Sequence, residues 1–190
     1  MRILALLILV LPNIAASAVI EQATIRGQPQ MLMKDGRPTM CGLRVVAQPT
    51  TFRDPQSPTV FMLDTSLVMG REGIVLIKGF GIEATADGLA KGDFKNIPLS
   101  ALWCKPEGSR ATQPLKDQTS RDEEGIALMY ADKETFDVYT SFLKSVLEGL
   151  NLTIGFRIAQ QSDERIISGF ISLSKSDMAS FIRCNSELVE

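Results

Sequence analysis

The sequence predicts an α+β domain, with a mainly antiparallel sheet of about six to eight strands and two amphipathic helices, the second at the C-terminus. Three observations carry that prediction. Apolar residues recur with period two in short runs separated by Gly, Pro, Asn and Asp through most of the chain. Two stretches, beginning near residues 133 and 175, repeat instead with helical spacing. The first of these is followed by a pair of alternating segments before the second, giving the order strands, helix, hairpin, helix that suits a sheet with its helices on one face or at one end.

Met1 and Arg2 supply a short basic start, Ile3 to Leu11 is an unbroken apolar run, and Ala16-Ser17-Ala18 provides small residues in an A-x-A pattern. Residues 1–18 therefore read as a secretory signal peptide cut after Ala18, with an apolar run about half as long as a bilayer span requires. The expected product is exported to a periplasmic or extracellular space. Residues 19–40 have no clear period and contain Gly27, Pro29, Gly36 and Pro38, which predicts an N-terminal tether or edge segment ahead of a single globular domain over 41–190.

Within that domain Leu43 to Gln48 is a β-branched run. A proline-rich loop follows, to Pro58. Phe61, Leu63, Leu67 and Met69 alternate with Asp64 and Ser66 in a strand, and Gly70 to Gly73 turns into a second run from Ile74 to Ile77. Phe80, Ile82 and Ala84 continue as a further strand, with Gly79 and Gly81 marking an expected bulge. Asp87 to Pro98 is rich in turn residues, and Leu99 to Cys104 holds the only tryptophan, Trp103. Lys105 to Gly125 carries nine charges and no aromatic residue, so residues 105–125 are expected to form a long polar loop.

Ile126 to Ala131 reads as a short strand and Asp132 as the cap of a helix from Lys133 to Glu148. Phe136, Tyr139, Leu143, Val146, Leu147 and Leu150 form its apolar stripe, and Gly149 occupies the position where a left-handed residue ends a helix. Leu152 to Ala159 and Arg165 to Leu173 make a hairpin of two strands. Ser174 with Asp177 then opens the last helix in the manner of a capping box.

The chain has three cysteines, which in an oxidising compartment predicts one disulfide and one leftover thiol. Helical phase puts Cys184 beside Phe181 and Leu188 on the inward edge of the last helix, while Cys41 opens the first strand run, so Cys41 and Cys184 are the expected pair. Three buried apolar thiols are the plainer alternative.

Absences bound the function. The chain contains no histidine, which removes Ser-His-Asp and Cys-His catalysis and His-ligated metal sites. No cysteine pair has C-x-x-C spacing, and no glycine-rich phosphate loop follows a strand. Ser141 to Lys144 and Ser172 to Lys175 both match S-x-x-K, but two matches without partner motifs mark a chance pattern. Asp132 with Glu134 reads as a helix start, Asp163 with Glu164 as a turn, and Trp103 as a core residue beside Cys104. Asn151-Leu152-Thr153 is a glycosylation triplet only in a eukaryotic source. The chain has 20 basic and 22 acidic residues; loss of Arg2 with the signal leaves a net charge of −3, without the basic run that nucleic acid binding needs.

No catalytic, metal or cofactor residue is therefore expected. The reading that remains is a non-enzymatic module that binds another envelope or extracellular protein, through the 105–125 loop or an exposed sheet edge. Two alternatives stand beside it: a carboxylate-based hydrolase acting on glycans, and a carrier of a small apolar ligand encouraged by eight methionines and the aliphatic strands.

Overall fold

The computed structural model describes residues 20–49, 59–106, 126–130 and 133–189. The expected signal peptide, Asp132 and most of the 105–125 loop lie outside them.

The chain opens with a long hairpin, β1 (Ile20–Lys34) and β2 (Arg37–Pro49). Asp35 and Gly36 both have positive φ, 52° and 76°, the two-residue turn whose twist matches that of the flanking strands. β3 (Thr59–Gly70) and β4 (Val75–Thr85) follow, joined by a turn in which Gly73 adopts φ 74°. The sheet continues with β5 (Lys95–Ile97), β6 (Leu99–Pro106), β7 (Ile126–Tyr130), β8 (Asn151–Ile158) and β9 (Arg165–Ser172). Its strand order is β5-β4-β3-β2-β1-β9-β8-β6, with β7 pairing β4 as well. β5 takes the Gly81–Glu83 end of β4 and β7 the Val75–Gly79 end. All pairings are antiparallel except that of β1 with β9, which is parallel.

The segment expected to be a tether or edge segment forms β1, bonded to β2 from Ala23 to Lys34 and to β9 from Ile20 to Arg26, so that it is interior over its first half and an edge beyond Arg26. Its period is weak because its outward positions are polar while Gly27 and Pro29 interrupt the inward ones. Pro29 falls beyond the last residue paired with β9, where a missing N–H is tolerated. The predicted break between residues 77 and 80 is also absent. β4 runs in unbroken register with β3 from Val75 to Thr85. Its glycines answer close packing instead: a Cβ at Gly79 would lie 2.7 Å from Leu102 Cδ2, and one at Gly81 2.8 Å from the Phe61 ring.

Phe61 belongs to the neighbouring β3, whereas the approach of Leu102 from β6 reflects curling of the sheet. β6, at one end of the strand order, comes back against β4 and β7 at the other, giving an almost closed barrel. Phe61 of β3 stacks on Phe156 of β8 across the interior, with ring centres 5.5 Å apart. Among the described residues three helices accompany the sheet rather than two. The unexpected one, α1 (Ala86–Lys91), is a short turn capped by Thr85, whose hydroxyl accepts from Gly88 N at 2.9 Å, and closed by Gly92 at φ 72°. α2 (Lys133–Glu148) packs on β3, β4, β6 and β8, and α3 (Lys175–Val189) on β1 and β2.

α2 has the predicted bounds and ends at Gly149 with φ 66°. Its buried face is turned relative to the predicted stripe: Phe142 and Ser145 are fully buried beside Tyr139 and Val146, while Leu147 is exposed. At the start of α3, Ser174 Oγ accepts from Asp177 N at 3.1 Å and donates to the Asp177 carboxylate at 2.6 Å, the box-like start read from the sequence. The inner face of the curled sheet is filled by side chains, among them Phe61, Phe156, Tyr139, Phe142 and Phe181.

Candidate interaction surface

Cys41 and Cys184 are joined, with Cα atoms 5.7 Å apart, tying β2 to α3. Helical phase and strand position bring them together as the sequence implied. Cys104 is free and buried on the inner face, where loss of solvation pushes its thiol up to about 12. A thiol held protonated in an apolar core is a poor nucleophile.

The remaining sequence candidates separate rather than converge. Ser141 is half-buried and Lys144 exposed; Ser172 and Lys175 are both exposed. Asp163 accepts from Ser162 Oγ at 2.9 Å within the turn between β8 and β9. Glu164 accepts from the indole N–H of Trp103. Trp103 is thus not the core residue anticipated: it lies half-buried on the convex side of β6, over Gly155 of the neighbouring strand, because strand alternation sends Trp103 and Cys104 to opposite faces. Asn151 is half-buried within β8, paired with Phe170. Among the described residues no helix is long and apolar enough to cross a membrane.

What the sequence reading missed is the outer face of β1 to β4. Alternation should give a solvated sheet face polar residues. Here the even-numbered positions of β3 and β4 pair as Val60 with Ala84, Met62 with Ile82 and Val68 with Leu76, all half-buried or buried. Both faces of these strands are apolar, and the signal was present in the runs Val60 to Met69 and Ile74 to Ile82, which are richer in aliphatic residues than alternation requires.

One carboxylate interrupts this face. Asp64 is 2% exposed, and Arg44 of β2 grips it, its Nε 2.9 Å from each carboxylate oxygen and its Nη2 on Oδ2. The hydrogen bond to Asp64, opposed by burial, holds the Arg44 guanidinium above its ordinary range. A paired carboxylate of this kind leaves no unsatisfied acceptor on an apolar surface.

Beyond that pair, toward the β1–β2 turn, the face opens into a groove of 260 Å³ bounded chiefly by Leu32, Met40, Val68, Leu76 and Lys78. Leu32 pairs with Met40 and Val68 with Leu76, so two cross-strand apolar pairs form its walls. Leu32 is 60% exposed, and Met31 and Met33 beside it are exposed as well. On the other side of the hairpin a cleft bounded by Met31, Met33, Pro38, Arg183 and Glu187 separates it from α3. Arg71 closes that end, its Nε donating to Pro38 O at 3.0 Å and its Nη2 to Glu187 O at 3.4 Å.

The backbone edge of β1 offers less. Past Arg26 it has no described strand beside it, but it carries Pro29, a bulge between Leu32 and Met33, and Lys34, the features that keep an edge from pairing with another chain. Recognition is better served by the face than by the edge. No protein-family model matches the chain, and no curated protein and no solved structure shows significant similarity to it.

Proposed function

We propose that this chain is an exported, non-enzymatic interaction module that recognises another envelope or extracellular protein through the outer face of β1 to β4 at the hairpin end. The observation that carries this reading is the open apolar groove between Leu32, Met40, Val68 and Leu76, on a sheet face that water alone would select to be polar. The disulfide between Cys41 and Cys184 favours an oxidising compartment, as does the signal-like pattern over residues 1–18. Filling of the inner face by aromatic side chains favours surface recognition over carriage of an apolar ligand.

The test uses a photocrosslinking side chain in place of Leu32, in protein expressed in its native host. The expected result is a discrete crosslinked product in the envelope or culture fluid, lost when Leu76→Glu is added and unaffected by a control substitution at exposed Lys144. Circular dichroism of both variants verifies the fold. Crosslinking that persists in the Leu76→Glu variant would sink the reading. N-terminal sequencing of the exported product tests the compartment, with Val19 expected as the first residue.

A further inference from the structure

The outer face of β6, β8 and β9 is built differently from that of β1 to β4. Trp103 of β6 lies across Gly155 of β8, where a Cβ would meet indole atoms Cε2, Cζ2 and Nε1 at 1.9, 2.2 and 2.2 Å. Near-equal distances to adjoining ring atoms mean that the ring turns its face, not its edge, to the strand. Its N–H donates to Glu164, which fixes the ring's direction in that plane. Trp103 is half-buried, so the indole is a flat aromatic platform held on a strand.

Hydrogen-bonding groups of both kinds surround the platform. Thr153 and Ser168, cross-strand partners on the same face, have their hydroxyls 3.3 Å apart; one proton joins them, which leaves a second proton and further lone pairs for a ligand. Glu164 receives the indole on Oε1, and the other oxygen of this exposed carboxylate remains an acceptor. Arg157, two residues on from Gly155 along the same face, brings a guanidinium whose Nε is buried without a partner among the described residues. One cation and one anion leave these groups without net charge. A second ring, Phe170, is 63% exposed on this face opposite Asn151, about 13 Å along β8 from Gly155.

Independently of the groove, we propose that this face binds a neutral oligosaccharide, with one sugar ring stacked on Trp103 and a later ring of the same chain on Phe170. The C–H groups on the face of a sugar ring carry partial positive charge and meet the negative face of an aromatic ring. Sugar hydroxyls both donate and accept, and so answer the mixed set formed by Thr153, Ser168, Glu164 and Arg157. An apolar side chain from a protein partner is held instead by walls around it, as in the groove bounded by Leu32, Met40, Val68 and Leu76. The absence of net charge around the platform selects a neutral glycan over an anionic one.

The experiment titrates the full chain with hexasaccharides of β-linked glucose, N-acetylglucosamine, mannose and xylose, reading the emission of Trp103, the only tryptophan, and the methyl NMR signal of Thr153. At least one sugar is expected to move both signals. Thr153→Val, which keeps the shape and removes the hydroxyl, is expected to weaken that sugar about fivefold. Phe170→Ala is expected to weaken the hexasaccharide about tenfold and to leave the matching disaccharide unchanged, because a disaccharide does not reach from one ring to the other. Leu76→Glu, in the groove, is expected to leave sugar binding as it was, so the two sites stand or fall separately. No response to any of the hexasaccharides would overturn the proposal. Equal weakening of hexasaccharide and disaccharide by Phe170→Ala, or of neither, would overturn the two-ring arrangement. Movement of the same signals by a short peptide of Phe and Leu, with none by the sugars, would overturn the proposal in favour of a protein partner.

Discussion

The hydroxyl of Tyr139 lies 2.7 Å from the carbonyl oxygen of Cys41, joining α2 to the strand residue that is itself bonded to α3. The same hydroxyl is 3.0 Å from Asn185 Oδ1, the residue after Cys184. Its single proton serves the nearer carbonyl, and Asn185 provides the alternative acceptor while its own amide donates to Phe181 O at 2.9 Å. Three elements thus meet at one buried phenol. Burial raises its titration range, opposed by the contact with Asn185.

Tyr139→Phe keeps the ring and its packing against Phe142 while removing the donor. The expected cost is about 1–2 kcal/mol, because a buried carbonyl loses its partner without water to replace it. Urea unfolding with an unchanged m-value checks this. A cost near zero would mean that the Cys41 carbonyl is satisfied by another donor.

Peptide mapping without reductant should recover Cys41 linked to Cys184 and Cys104 as a free thiol. The bridge spans 143 residues, and chain-entropy reasoning sets its contribution at about 5 kcal/mol as an upper figure. Reduction, or replacement of both cysteines by Ala, should lower the melting temperature, and amide exchange should show α3 losing protection before the sheet does. Equal loss across sheet and helix would mean that α3 is not a separable unit.

Gly155 and Trp103 form a packed pair across β8 and β6. A Cβ on Gly155 would lie 1.9 Å from the indole ring, so Gly155→Ala must displace the ring from the sheet and from its bond to Glu164. Since Trp103 is the only tryptophan, its emission should shift to the red, with a stability loss of about 1–3 kcal/mol from the overpacked contact. Unchanged emission would show that the strands move apart instead.

Cys104 predicts a pH dependence. Its folded-state titration lies above that of an exposed thiol, so the folded form keeps its proton where the unfolded chain gives it up. Stability from this term is fully present below about pH 9 and is lost as pH rises toward about 12. Denaturant midpoints measured from pH 8 to 10 should fall more steeply for the native chain than for Cys104→Ala, whose overall stability is lower because of the cavity it leaves. Parallel slopes would show that other groups govern the alkaline limb.

The sequence by itself determined the elements whose signals are local. Tyr139 and Val146 recur at helical spacing, Ser174 and Asp177 mark the start of a helix, and Leu152, Ile154 and Phe156 alternate as a strand facing one core. Periodicity even turned Cys184 toward Cys41. Tertiary structure alone decided what depends on neighbours remote in sequence. β1 is interior from Ile20 to Arg26 because β9, entering more than a hundred residues later, supplies a parallel partner that no pattern within residues 20–34 encodes. Gly79 and Gly81 belong to one unbroken strand and make room for Leu102, brought across by the curled sheet, and for Phe61 of the neighbouring β3. The candidate site has the same origin. Leu32, Met40, Val68 and Leu76 lie on four strands, each carrying an unremarkable apolar residue, and only the register of the sheet gathers them into one groove. Alternation sets which face a side chain takes; pairing sets its companions, and recognition depends on the companions.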